Sequence, residues 1–86
     1  MKLKTVLKKA ITQYNKYRSP EVTATVLSMN EKLFEIQFIG PFCRTCGFYD
    51  YFDDLRVLLE DYETRVKIAV IKEIPKGALV QFEVIE

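Results

Sequence analysis

The chain of 86 residues is 49% hydrophobic and 29% charged, a balance that predicts one small globular domain rather than a disordered segment. Basic residues number 13 and acidic residues 12, and a net charge of +1 argues against binding of nucleic acid by bulk positive charge. Histidine is absent, which excludes catalytic mechanisms and metal sites that need an imidazole. Because the apolar runs are too short to cross a bilayer and lysines interrupt the N-terminal ones, we expect a cytoplasmic protein.

An amphipathic helix is predicted over residues 3–17. Apolar side chains recur there at spacings of three and four, which puts them on one face: Leu3, Val6, Leu7, Ala10, Ile11, Tyr14 and Tyr17. Lysines occupy the other faces. Pro20 marks the end of the helix, because the residue before a proline avoids the helical conformation.

Two hairpins and a second helix are predicted to follow. Apolar and polar residues alternate over 21–27 and 33–39, and again in the strands around Pro75, as expected of half-buried strands. In the third strand this alternation places Val66, Ile68 and Val70 on the inner face. Between the hairpins, a helix begins near Asp50 and carries an apolar stripe of Phe52, Leu55, Leu58, Leu59 and Tyr62.

The element order αββαββ predicts a two-layer α+β sandwich, with two helices on one face of a four-stranded antiparallel or mixed sheet. The second and fourth strands carry the larger apolar residues and are placed at the centre. This arrangement equals a ferredoxin-like fold whose first strand has moved to the end, a circular permutation that carries no function with it. Residues 1–86 form a single domain. Residues 1–39 and 48–86 share a pattern, which either an internal αββ repeat or chance similarity explains.

The sheet face opposite the helices is predicted to carry more apolar residues than a solvated face usually does. They are Leu27, Leu33, Ile39, Ile71, Leu79 and Ile85. A contiguous patch there would form an interface with another chain, most simply in a homodimer. The alternative is that these are scattered surface residues, which are normal.

Cys43 and Cys46 belong to the most distinctive motif, Cys-Arg-Thr-Cys-Gly at 43–47. The motif resembles the Cys-x-x-Cys-Gly knuckle of zinc ribbons and rubredoxins, and the resemblance implies Cys43 and Cys46 as zinc ligands. A structural zinc site needs four ligands. The other two would come from carboxylates such as Asp50 or Asp53, or from the same cysteines of a second chain.

Two other interpretations of the cysteines remain open. Structural thiols or a disulfide would pin the segment, and disulfides are uncommon in the cytosol outside hyperthermophiles. The Lys, Glu, Ile and Val content is typical of a thermophile.

In a redox role, the two cysteines would resemble those of thioredoxin-like proteins, in which a helix N-terminus lowers a cysteine pKa. Acidic neighbours disfavour a thiolate here.

The charges are unevenly distributed along the chain. Residues 1–18 contain basic side chains and no acidic one, whereas every charged residue in 48–63 is acidic except Arg56. One interpretation is that the first helix binds nucleic-acid phosphates. The residues concerned are Lys4, Lys8, Lys9, Lys16 and Arg18. The other interpretation is that the two helices lie side by side and their charges complement each other.

The sequence therefore predicts a non-enzymatic binding or interaction module, homodimeric, with Cys43 and Cys46 as a metal or disulfide site. Two alternatives stay open: a nucleic-acid-binding module that uses the basic first helix, and a thiol redox protein that uses the two cysteines.

Overall fold

The computed structural model describes residues 3–18, 21–40 and 48–85, which form two helices and four strands in the predicted order. The helices are α1, Leu3–Arg18, and α2, Phe48–Asp61. The strands are β1, Thr23–Met29; β2, Leu33–Ile39; β3, Val66–Ile74; and β4, Gly77–Val84. Helix α2 begins two residues before the predicted start at Asp50.

The four strands form one antiparallel sheet in the order β1-β2-β4-β3. The strands with the larger apolar residues, β2 and β4, therefore lie at the centre as predicted, and β1 and β3 lie at the edges. Both helices pack on one face, so the architecture is a two-layer α+β sandwich. The strand order is compatible with the permuted ferredoxin-like topology. In the described part of the chain, no helix combines the length and the hydropathy needed to span a membrane.

Aromatic rings connect both helices to the two central strands. The ring of Phe38 lies 5.7 Å from that of Tyr14 in α1 and 4.9 Å from that of Phe52 in α2, measured between centroids. Phe34 stacks on Phe82 across the β2–β4 boundary at 5.2 Å. All five side chains are buried, and such ring pairs add to the stabilisation from buried apolar area.

A bulge in β3 reverses the faces of its second half. The register shifts between Ile68 and Val70, which leaves Ala69 as the extra residue. Since side chains alternate along a strand, one inserted residue moves every later side chain to the other face. Ile71 therefore pairs with Val80 and packs against the core. The prediction that Ile71 lies on the uncovered face is wrong, and Val70, 51% exposed, lies there instead.

A second bulge lies in the edge strand β1, where the register shifts between Val26 and Ser28 and leaves Leu27 as the extra residue. After the shift, Met29 pairs with Phe34 and so shares the helix-covered side of the sheet with Val26. Val26 and Met29 are each 37% exposed. The second half of β1 thus leaves apolar side chains uncovered on the side where α1 lies.

Helix α2 ends in a Schellman motif with a non-glycine residue in the left-handed region. The N–H of Thr64 donates to the carbonyl of Leu59 at 2.9 Å, and the N–H of Glu63 donates to the carbonyl of Glu60 at 2.9 Å. Glu63 has a φ of 62°, where glycine is usual because a Cβ is crowded. This turn directs the chain into β3.

Candidate functional site

The uncovered sheet face carries four of the residues predicted to form an interface: Leu33, Ile39, Leu79 and Ile85. They fall into two groups at opposite ends of the sheet, because the polar pair Glu35–Gln81 lies between them. Leu27, 47% exposed, lies at the bulge of the edge strand. This polar row divides the expected patch, and a homodimer through this face stays a prediction.

Cys43 and Cys46 lie outside the described residues, so the metal, disulfide and redox interpretations stay predictions. Of the carboxylates considered as further ligands, Asp53 accepts a hydrogen bond of 2.6 Å from Arg56. That guanidinium holds the pKa of the Asp53 carboxyl below its ordinary value. Among residues 3–18, 21–40 and 48–85, no three His, Cys, Asp or Glu side chains are grouped to hold a metal ion.

Arg18 connects the two helices through its charge. Its guanidinium forms an ion pair with Asp54 of α2 and lies 5.2 Å from the centre of the Tyr51 ring. The same guanidinium also lies 4.0 Å from the carboxylate of Glu21, three residues further along the chain. Arg18 is therefore committed to partners within the protein, and the structure separates it from the lysines with which the sequence grouped it.

Helix α2 neutralises part of its own negative charge. Arg56 donates to Asp53 at 2.6 Å and lies 3.7 Å from Glu60 one turn later. The predicted complementarity between the two helices is therefore present at Arg18–Asp54. It does not extend to the lysines of α1.

Four lysines of α1 project from the surface and have no partner of opposite charge in the described part of the chain. Lys4, Lys8, Lys9 and Lys16 are exposed, and none forms an ion pair with any described residue. Because a helix turns about 100° per residue, Lys9 and Lys16 lie toward the α2 side of α1 and Lys4 lies toward the β1 side. Lys8 lies between the two.

The α2 side of α1 borders a shallow groove of about 640 Å³. Its lining is Thr5, Lys8, Lys9, Thr12, Gln13, Lys16, Tyr17 and Tyr62. We call Lys8, Lys9, Lys16 and Tyr17 the lysine face. Tyr62 donates a hydrogen bond of 3.1 Å to Gln13, which anchors the end of α2 beside the groove. Three cations and several neutral hydrogen-bonding groups thus line this groove, and none of the described residues that line it is acidic.

Tyr17 is the member of this surface that the sequence pattern misplaced. The pattern assigns it to the apolar stripe of the helix, but its side chain is 71% exposed. Tyr14, one turn earlier, is buried. The exposure of Tyr17 could have been predicted from its position between Lys16 and Arg18 in the last turn of the helix. A tyrosine ring, which is amphipathic, tolerates contact with solvent there.

The lysine face offers positive charge and an aromatic ring to a ligand in solution. Comparison of the chain with protein-family models, with curated proteins and with solved structures yields no match. The chemistry of the surface is therefore the basis on which a function is argued.

Proposed function

We propose that the protein is a non-enzymatic binding module whose first helix binds single-stranded nucleic acid, RNA above all. The observation that supports this proposal is the lysine face: Lys8, Lys9 and Lys16 have no ion-pair partner among the described residues and lie beside the exposed ring of Tyr17. Phosphates would bind the lysines, and a base would stack on the tyrosine.

The spacing of the charges fits a nucleic-acid backbone. The lysines of the lysine face extend from Lys8 to Lys16, a rise of about 12 Å along the helix axis at 1.5 Å per residue. At about 3.4 Å per nucleotide of a stacked strand, this length spans roughly three to four nucleotides. Several phosphates can therefore be contacted along the helix without distortion of either partner.

Two acidic residues of α2 are already paired with arginines within the protein. Asp54 is held by Arg18, and Asp53 is held by Arg56. Carboxylates that are already paired within the protein repel an approaching phosphate less than free carboxylates do, because each pair is close to neutral. The net charge of +1 therefore conceals a local surface that is positive.

A single strand fits this surface better than a duplex does. Tyr17 presents its ring at the rim of a shallow groove, and stacking on an aromatic ring needs a base that is free of its neighbours. A duplex would engage the lysines alone. The cytoplasm, which is the compartment predicted from the sequence, supplies such strands as RNA.

Fluorescence anisotropy with a labelled oligouridylate, measured over a range of salt concentrations, tests the charge part of the proposal. The double variant K9Q/K16Q should reduce the slope of log affinity against log salt by about 1.4, at about 0.7 per lost phosphate contact on a single strand. The matched control is K72Q/K76Q, which removes two exposed lysines far from α1. Equal slopes in both variants, or no binding by the parent protein at low salt, would contradict the proposal.

The aromatic part is tested separately. Tyr17→Ala should weaken oligouridylate binding by about tenfold, since stacking of one base contributes about 1–3 kcal/mol, and should leave the salt slope unchanged. Tyr49→Ala is the control, because Tyr49 is 63% exposed but lies at the start of α2. Duplex DNA should bind Tyr17→Ala as well as it binds the parent protein.

We also propose that the protein is a homodimer and that Cys43 and Cys46 bind a zinc ion. Native mass spectrometry of the purified protein reports both, because a dimer doubles the mass and zinc adds its own. A monomeric, metal-free mass would exclude them and would leave nucleic-acid binding by the lysine face untouched.

A further inference from the structure

The outer edge of β1 is covered over only part of its length. The side-chain amide of Asn15 donates to the carbonyl of Ala24 at 2.9 Å and accepts from the N–H of Ala24 at 2.7 Å. In an antiparallel pair, alternate residues direct their backbone groups the same way, so Val26 also directs its N–H and C=O outward. Within the described residues, no side chain bonds to these groups of Val26 as Asn15 does to Ala24.

An apolar groove of about 270 Å³ runs beside this open edge, between α1 and β1. Leu7 and Ile11 line it on the helix side, and Val26 and Met29 line it on the strand side. The last two are each 37% exposed although they share the helix-covered side of the sheet. We call this feature the strand groove.

Two lysine side chains lie at the rim of the strand groove. Lys4 and Lys8 both line it, and they lie one helical turn apart on the same side of α1. Neither forms an ion pair with another residue in the described ranges. A strand edge, an apolar groove and two positive charges thus converge at one place.

We propose that the strand groove binds an extended acidic peptide segment of a protein partner, which adds a strand to the edge of β1. The backbone of the peptide pairs with Val26, and the side chains on one face of the added strand point toward α1. On that face, an apolar side chain enters the groove against Ile11 and Met29, and acidic side chains two residues away bind Lys4 and Lys8 at its rim. Because Asn15 occupies the edge at Ala24, the added strand pairs along residues 26–29 only.

Charge favours such a peptide over a second copy of this chain. Pairing of β1 with β1 of another copy about a two-fold axis would bring both α1 helices to the same side of the joined sheet. Lys4 and Lys8 of one copy would then face the same lysines of the other, which is unfavourable without intervening acids. Nucleic acid fits poorly, since the groove is apolar and its directional groups are those of a strand edge.

The test uses a fluorescein-labelled octapeptide in which valine and glutamate take turns on one face of the strand and threonine occupies the other face, with binding to the full chain followed by anisotropy. Val26→Pro removes an N–H that faces outward, so the internal β1–β2 hydrogen bonds are kept while pairing with the peptide is lost. Binding should weaken by about tenfold, which equals about 1.4 kcal/mol. Lys4→Gln should weaken binding and its salt dependence, whereas the matched variant Lys72→Gln should not. Circular dichroism checks that each variant is folded.

A measurement on the unmodified protein covers the case in which Val26→Pro fails to fold. Saturation with the peptide should slow hydrogen exchange of the Val26 amide, because that group becomes bonded within a sheet. Unchanged exchange, or full binding by folded Val26→Pro, would overturn the proposal. So would equal binding of the same peptide with lysine in place of each glutamate, which would remove the role of Lys4. Light scattering that shows a dimer of the parent protein and a monomer of Val26→Pro would assign the edge to a second copy instead.

This inference does not depend on nucleic-acid binding. Lys4 lines the strand groove and not the lysine face, whereas Lys9 and Lys16 line the lysine face and not the strand groove. The double variant K9Q/K16Q should therefore bind the acidic peptide as the parent protein does. Loss of one activity with retention of the other distinguishes the two proposals.

Discussion

Asn15 and Ala24 are joined by two hydrogen bonds that imitate the pairing of one strand residue with another. The Asn15 side chain supplies a donor at 2.9 Å and an acceptor at 2.7 Å to the backbone of Ala24. Since Ala24 lies in the edge strand of the described sheet, these bonds satisfy backbone groups on the side of β1 that faces away from β2. The same bonds fix the distance between α1 and β1.

Asn15→Ala is expected to lower the free energy of unfolding by about 1–3 kcal/mol, because it leaves the partly buried backbone groups of Ala24 without their partner. Urea unfolding followed by circular dichroism measures the change. Thr12→Ala is the control, since the Thr12 hydroxyl is exposed and donates to the carbonyl of Lys8 within its own helix. Equal stability of the two variants would show that the Asn15 bonds contribute nothing.

Glu63→Gly is expected to raise the free energy of unfolding by about 0.5–1 kcal/mol. The φ of 62° at this residue crowds a Cβ, and glycine removes that cost at the end of α2. Removal of a negative charge from the C-terminal end of a helix adds to the gain. Glu63→Ala separates the two effects, because alanine removes the charge and keeps the Cβ. If Glu63→Ala is as stable as Glu63→Gly, backbone crowding is not the cause.

Tyr14 is expected to make the protein less stable in alkali. Its hydroxyl donates to the carbonyl of Tyr51 at 2.8 Å, and burial raises its pKa well above the ordinary value. A raised pKa in the folded state means that the contribution of Tyr14 is complete below about pH 10, the pKa of an unfolded tyrosine. It is lost as the pH rises above that value toward the folded pKa, because the unfolded state ionises first.

Urea unfolding at a series of pH values from neutral to alkaline tests this expectation. Tyr14→Phe should be less stable than the parent protein at neutral pH by about 1 kcal/mol, owing to the lost hydrogen bond. Above about pH 10 its stability should fall less steeply than that of the parent. Parallel curves across the alkaline range would mean that Tyr14 does not carry the effect.

The bulge in β3 predicts opposite outcomes for two adjacent aliphatic residues. Ile71→Ala should lower the free energy of unfolding by about 2 kcal/mol, because Ile71 packs against the core. Val70→Ala should change it by about 0.5 kcal/mol, because Val70 is 51% exposed. A larger loss for Val70→Ala would mean that β3 pairs without the bulge at Ala69. Chemical denaturation of both variants under the same conditions decides between the registers.

The strands at the centre of the sheet were predictable because their alternation is unbroken. In β2, Phe34, Ile36 and Phe38 all face the helices, and a slip of one residue would move all three to the uncovered face. In β3 the alternation is ambiguous after Ile68, since either Val70 or Ile71 can fill the next inner position. Local pattern cannot choose between them, and the pairing with β4 decides.

The site was predictable in its charge but not in its arrangement. A run of lysines without acids identifies α1 as basic from the sequence alone. The pairing of Arg18 with Asp54 depends on how two helices distant in sequence pack together, and so does the exposure of Tyr17. The open edge of β1 beside α1 likewise arises from tertiary packing, because Asn15 carries no signal in the sequence that it will bond to Ala24.

The central pairing of β2 with β4 has a consequence for the order in which the protein acquires its structure. Each hairpin is local, but the central ladder joins Leu33 to Glu83 and Ile39 to Gly77, which are far apart along the chain. Closing so long a segment costs chain entropy before any contact repays it, and such contacts slow folding. During synthesis, Phe34 cannot stack on Phe82, and one edge of β2 has no partner strand, until residues 77–84 have left the ribosome. An unpaired strand edge favours association of the nascent chain.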